Sequence, residues 1–232
     1  MSNRIFHVKV GGGFACFTDP GLKVERCSYP VMTPSAARGM LEAIFWKPEF
    51  RWEIREITVL KPIKQISIMR NEIEDRQTDK PIVIEQKRQQ RASLILKDVE
   101  YIISAVMMLK PGVDNFGKYI DQFERKVERG QCHHTPCLGT REFAAWFETA
   151  TGEEKPLESI NIQLGQMLFD IAYKEDKDRQ EISFHRHAAN EKKRIAKGYA
   201  HALYFEAELK NSVMKVPHEK YRELYDLEGI YV

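Results

Sequence analysis

Between Val99 and Arg129 the apolar residues change period once, and that change commits the chain to a sheet layered against helices. Val99, Tyr101, Ile103, Ala105, Met107 and Leu109 alternate with more polar neighbours, the pattern of a strand with one buried face. Pro111-Gly112 ends the run. Phe116, Ile120, Phe123 and Val127 then recur at helical spacing, with Asn115 placed to cap the helix and Gly130 to stop it. A half-apolar strand followed by an amphipathic helix has to bury each stripe against the other layer.

The rest of the first 149 residues repeats this alternation. Phe6, Val8 and Val10 face one way and His7 and Lys9 the other, which predicts a strand over residues 5–10. Gly11-Gly12-Gly13 predicts a kink or bulge before Phe14-Ala15-Cys16-Phe17; a phosphate loop is the poorer reading, because no lysine-serine or lysine-threonine pair follows. Thr33-Pro34 reads as a helix cap with proline at the first turn, Met40, Leu41, Ile44 and Phe45 as its apolar stripe, and Pro48 as its end. Residues 53–68 are rich in isoleucine and predict strand, broken or placed at an edge by Pro62. Residues 70–93 carry many charges and few apolar anchors, which predicts a long surface insertion. Phe143, Ala145 and Phe147 predict a strand over residues 140–148.

The order strand, helix, strand, strand, helix, strand is the split βαβ plan. The expected class is therefore α+β: a ferredoxin-like domain over residues 1–149, with the layout of an RNA recognition motif. Residues 150–232 add strand-like pieces at 163–173 and 202–216 around a charged loop at 174–199, expected as a small antiparallel appendage.

Hydrophobic residues make up 43% and charged residues 30% of the 232, a balance that supports a buried core. No apolar run reaches the roughly 18 residues that a bilayer-spanning helix requires, so no membrane partner is expected. Residues 1–4 lead straight into strand-like sequence with no apolar signal region, which predicts a cytoplasmic chain. The four cysteines, Cys16, Cys27, Cys132 and Cys137, read as reduced thiols in that compartment. Serine nucleophile elbows, H-E-x-x-H helices and dinucleotide fingerprints are missing, which removes several common enzyme classes.

Net charge is only +2, so a nucleic-acid partner has to be argued from clustering. Lys118, Gln122, Arg125 and Arg129 fall on one face of the 115–129 helix, opposite its apolar stripe, with Lys126 beside them. Such a row suits a phosphate backbone; Asp121, Glu124 and Glu128 nearby suit a plain solvated face, and both readings stay open. Lys87, Arg88 and Arg91 in the 70–93 insertion are further candidates for RNA contact. Cys132-His133-His134-Thr135-Pro136-Cys137 is read as a turn with one functional histidine in preference to a zinc site, since no second ligand pair stands out. His185-Arg186-His187 and residues 191–194 serve either RNA contact or solubility.

Five short motifs occur in register: Phe17-Thr18-Asp19-Pro20, Ile44-Phe45-Trp46-Lys47-Pro48, Lys61-Pro62-Ile63, Arg70-Asn71-Glu72 and Leu138-Gly139-Thr140-Arg141-Glu142-Phe143. Together they resemble the CRISPR-associated Cas-five family of subtype I-C. The resemblance implies metal-independent cleavage of precursor CRISPR RNA beside the repeat hairpin, with no cofactor. It also implies that the protein, monomeric when isolated, stays on the 5′ handle among the other Cascade subunits. In-line attack of a ribose 2′-hydroxyl on the adjacent phosphate needs a base, a cation for the phosphorane charge, and an acid for the leaving 5′-oxygen. By resemblance these roles belong to a tyrosine, a lysine and a histidine. Here the positions hold Phe45, Lys118 and Tyr119. Phe45 has no proton to transfer, and a tyrosine of ordinary pKa near ~10 is ionised about one part in a thousand at neutral pH. A nearby cation would make Tyr119 a better base; His134 or His133 is the alternative base, and a non-catalytic RNA-binding Cascade subunit is the alternative function.

Overall fold

The computed structural model describes residues 4–22, 25–73, 78–79, 81–114, 116–157, 160–187 and 193–230. Asn115, the expected cap, lies outside the described residues, as do Arg76, Lys80, Glu191 and Lys192.

Strand β1 (Ile5–Ala15) runs straight through the three glycines instead of kinking. They are set by close approach: a Cβ on Gly11 would lie 2.5 Å from the Trp146 ring, and one on Gly12 2.7 Å from Leu138. Helix α1 (Pro34–Ile44) starts as the sequence predicts, with the Thr33 hydroxyl accepting the Ala36 N–H at 3.2 Å. Phe45 leaves the helix in extended conformation and is buried.

The isoleucine-rich stretch divides at the expected break into β2 (Phe50–Val59) and β3 (Gln65–Ile73). A short helix α2 (Ile84–Lys87) then leads into the 22-residue strand β4 (Arg88–Leu109). Residues 70–93 are therefore not an irregular insertion. Their ends form a two-stranded ribbon in which β3 pairs with β4 from Gln65 opposite Leu96 to Ile73 opposite Arg88. The charges that read as a solvated loop are ribbon partners: Glu72 lies 3.7 Å from Arg91 and 3.8 Å from Arg70.

Helix α3 (Phe116–Glu128) buries Tyr119, Ile120, Phe123 and Val127, and Gly130 ends it in left-handed conformation, φ 60°. The strand expected over 140–148 shrinks to β5 (Trp146–Thr149), because Leu138 and Phe143 close a tight turn, Leu138 N–H to Phe143 O at 2.8 Å. The main sheet has the order β5-β1-β4-β2, antiparallel throughout. On one face Phe6 meets Phe123 edge to ring with centroids 5.3 Å apart, Trp52 packs against Phe123 at a tilt with centroids 4.6 Å apart, and α1 touches α3 alongside.

The C-terminal part is a second antiparallel sheet, β6-β8-β7, built from β6 (Ile162–Glu175), β7 (Ile182–Arg186) and β8 (Arg194–Leu209). The charged loop expected at 174–199 thus contains β7 and the start of β8. Asn211 and Ser212, at φ 50° and 65°, split the expected 202–216 piece and return the chain as β9 (Val213–Lys215), which pairs with β2. Helix α4 (Glu219–Glu228) packs on β6. Its Tyr221 hydroxyl accepts the Ile54 N–H at 2.6 Å, next to the register shift of β2 between Ile54 and Glu56. Among the described residues no helix is long and apolar enough to cross a membrane.

Candidate functional site

The amphipathic pattern of α3 decides which of its residues face outward. Lys118, Arg125 and Arg129 are exposed, and Gln122 and Lys126 half-buried. None of the four cations Lys118, Arg125, Lys126 and Arg129 has an ion-pair partner among the described residues. Glu124, which argued for a plain solvated face, is bound instead by Arg4 of the segment leading into β1. The cations of the row are thus free of ion pairs, although Asp121 and Glu128 are exposed on the same helix, and a polyanion can engage them without first breaking a salt bridge.

At the N-terminal end of the same helix, three of the positions singled out by resemblance share one corner. The Phe50 ring lies between Phe45 at 5.5 Å and Tyr119 at 5.7 Å. The loop that carries His133 and His134 is hydrogen-bonded to the end of α1, both backbone N–H groups donating to the Ala43 carbonyl at 2.9 and 3.0 Å. Their ring centroids lie 4.3 Å apart, the rings tilted by 59°, and both residues are exposed. Lys118 stands on the solvent side, next to Tyr119 in sequence.

The electrostatics of Tyr119 differ from expectation. Burial pushes its phenol above the ordinary value, and Glu49 adds to the shift in the same direction. No cation offsets them, since Lys118 diverges from Tyr119 around the helix by roughly 100°. Tyr119 is thus a poorer base than a free tyrosine. Glu49 itself was not singled out from sequence; one of its carboxylate oxygens is buried with no hydrogen-bond partner.

Cys132 is exposed and Cys137 half-buried, and among the described residues no three His, Cys, Asp or Glu side chains converge as a metal-binding group. The ribbon candidates stand apart from α3. Lys87 and Arg88 are exposed near the ribbon tip, while the Arg91 guanidinium bonds Gln89 Oε1 at 2.7 Å and lies near Glu72.

The structure joins two of the sequence motifs. Arg70 is ion-paired with Glu142, and Arg26 lies 3.5 Å from both Glu72 and Glu142. Burial alone would raise the Glu142 carboxyl; its own backbone N–H, then Arg70 and Arg26, more than offset this and hold it below its ordinary value. Sequence reasoning also missed Asp170. It is a lone acid in an apolar strand, buried at the bulge of β6 and held by Arg38 of α1. A charge inside the run Met167-Leu168-Phe169-Asp170-Ile171-Ala172 was the available signal.

Comparison with known proteins agrees with this architecture. A protein of Thermus thermophilus named CRISPR pre-crRNA endoribonuclease Cas5d is 52% identical over 222 residues, 95% of each chain. Its namesake from Mannheimia succiniciproducens is 41% identical over 240 residues, 94% of this chain and 96% of that one. A crystal structure of a CRISPR-associated protein superimposes with a TM-score of 0.64 at 21% identity, covering 94% and 93% of the two chains, a likeness of fold. Residues 6–217 match the family described as CRISPR-associated protein (Cas_Cas5), and the chain belongs to its Cas5d branch.

Proposed function

We propose that the protein is a precursor CRISPR RNA endoribonuclease that binds the repeat hairpin, cuts beside it, and stays on the 5′ handle within Cascade. The observation that carries this reading is the identity over nearly the whole chain with two proteins named for that activity. The cations of α3 that form no ion pair among the described residues give it a physical basis. The strand order β5-β1-β4-β2 with α1 and α3 on one face supports a ferredoxin-like arrangement of residues 1–149, with residues 150–232 as its appendage. The cytoplasm is where such a transcript is met.

Cleavage is metal-independent in this proposal. The ribose 2′-oxygen attacks the adjacent phosphorus, the bond to the 5′-oxygen breaks, and a 2′,3′-cyclic phosphate and a 5′-hydroxyl result. Lys118 supplies the cation for the phosphorane. His134 is the more accessible base, because it is exposed on a loop hydrogen-bonded to Ala43 at the end of α1, whereas Tyr119 is buried with a raised pKa. That burial also favours a second reading, a non-catalytic RNA-binding Cascade subunit. Incubation with repeat RNA in chelator separates the two. Cleavage that persists there, yields the cyclic phosphate and fails on a substrate with a 2′-deoxy cut site supports the first reading. Tight binding of intact RNA supports the second.

A further inference from the structure

A cleft of about 500 Å³ opens between the end of α1, β2 and the small sheet. Its walls come from opposite ends of the chain. Trp46, 38% exposed, meets the His187 ring at 5.0 Å and 78°, and part of the indole is open to solvent. Tyr173 and Phe184, 5.5 Å apart, continue the aromatic surface, and the Arg186 guanidinium lies 5.0 Å over Phe184.

The charges lining this cleft are not balanced. Its three acidic side chains each have an arginine partner, Arg38 serving both Asp170 and Glu42 and Arg51 binding Glu228 at 2.6 Å, while five lysines and arginines line the cleft. Lys47 is exposed without an ion-pair partner among the described residues. Lys110 donates to the His187 carbonyl at 2.7 Å and forms no salt bridge among the described residues, Glu228 and Glu49 acting on it only at longer range. Burial, then repulsion from Arg51, pushes Lys110 down to about 8, the mark of a cation that gains from an anion. Aromatic faces interleaved with unpaired cations are the chemistry of single-stranded nucleic-acid binding, and the volume suits one nucleotide.

We propose that this cleft is a second RNA site, holding one unpaired nucleotide with its base on Trp46 and its phosphate near Lys47 and Lys110. The inference rests on the reading of the chain as an RNA-binding protein, and deepens it by adding a pocket for a single-stranded flank to the face that binds the hairpin.

The test is equilibrium binding of fluorescein-labelled octauridylate and of a repeat hairpin carrying a single-stranded 5′ flank. Trp46→Ala weakens octauridylate about tenfold, as loss of one stacked base does, while Trp46→Phe keeps most of the affinity. Lys47→Ala with Lys110→Ala lowers the salt slope by about 0.7, the loss of one neutralised phosphate on a single strand. Thermal unfolding identifies any variant that fails to fold, and Lys47→Glu, at an exposed position, then serves as the second probe with the same expected loss. Unchanged affinity in Trp46→Ala and Lys47→Glu, with binding lost in Arg125→Ala/Arg129→Ala, overturns the cleft and leaves the RNA reading intact. A wild-type protein that binds neither probe overturns both.

Discussion

Arg38 of α1 holds Asp170 of β6 at two points, Nε to Oδ2 at 2.7 Å and Nη2 to Oδ1 at 2.8 Å. Asp170 sits where the register of β6 shifts, and its side-chain oxygen also accepts the Ile171 N–H at 2.8 Å. The pair fastens the first helix to the second sheet and forms the floor of the aromatic cleft. Removing one partner strands a buried carboxylate, so Arg38→Ala is expected to cost about 3 kcal/mol in urea unfolding. Arg38→Lys recovers only part of it, because an ammonium cannot reproduce the two-point geometry. A loss under about 1 kcal/mol in Arg38→Ala would mean that water already shares the site.

Gly139 is the position where backbone and space leave no choice. Its φ is 89°, and a Cβ there would lie 1.9 Å from the Cys16 carbonyl oxygen. Gly139→Ala is expected to cost about 3 kcal/mol, near the upper range for single substitutions, lowering Tm by roughly 6–12 °C. Gly152 is the control: φ is 82° but the surrounding space is open, so Gly152→Ala carries strain alone, about 1 kcal/mol. Equal melting temperatures for the two variants would show that the loop carrying Gly139 moves aside without cost.

Legibility from sequence followed local periodicity. α3 and the second half of β4 stand out because their apolar residues repeat within one element and meet one buried face. The first half of β4 was hidden. Its partner β3 supplies polar cross-strand contacts, so nothing in Arg88-Gln89-Gln90-Arg91 alternates by hydrophobicity. The basic row of α3 was visible for the same reason as its apolar stripe, since both follow helical spacing. The burial of Tyr119 and the cleft beside Trp46 were not, because Glu49, His187 and Lys110 reach those places only through tertiary packing.

Lys110 gives a pH dependence of definite sign. It is faced by Arg51 of β2, Arg186 of β7, Glu228 of α4 and Glu49, and burial with Arg51 brings it down to about 8. The folded value lies below the unfolded one of ~10.4, so between them the unfolded chain holds more protons. The Lys110 contribution to stability therefore rises with pH from about 8 to ~10.4 and is flat below. The difference in urea midpoint between wild type and Lys110→Met should change across that window in favour of wild type. A constant difference would show that Lys110 is solvated in both states.

Salt dependence tests the outer face of α3. Arg125 and Arg129 are exposed and unpaired among the described residues, so each is free to displace a counterion from a phosphate. Arg125→Ala with Arg129→Ala should reduce the slope of log affinity against log salt by about 1.4 to 1.8 for repeat RNA. An unchanged slope places the hairpin elsewhere.

The corner at Lys118, Tyr119 and Phe45 sets the rate of cleavage if the proposed chemistry operates there. Lys118 is the exposed cation at that corner, and losing one charge-stabilising group commonly costs on the order of 10²–10³ in rate. Lys118→Ala should therefore nearly silence single-turnover cleavage at saturating protein, a condition that removes binding from the measurement. Burial and Glu49 both hold the Tyr119 phenol protonated, so Tyr119→Phe should leave the rate within about twofold. Tyr119→His puts a group of ordinary pKa near ~6.5 in the same place, and burial favours its neutral, basic form. That change should raise the rate, and more so with Phe45→Tyr, whose hydroxyl adds the proton carrier that phenylalanine lacks. His134→Ala should slow the wild type but not the Tyr119→His variant, because the second has its own base. Full activity in Lys118→Ala would move the chemistry away from α3. Full activity in His134→Ala alone would return the role of base to Tyr119, or to His133, whose ring lies 4.3 Å from that of His134.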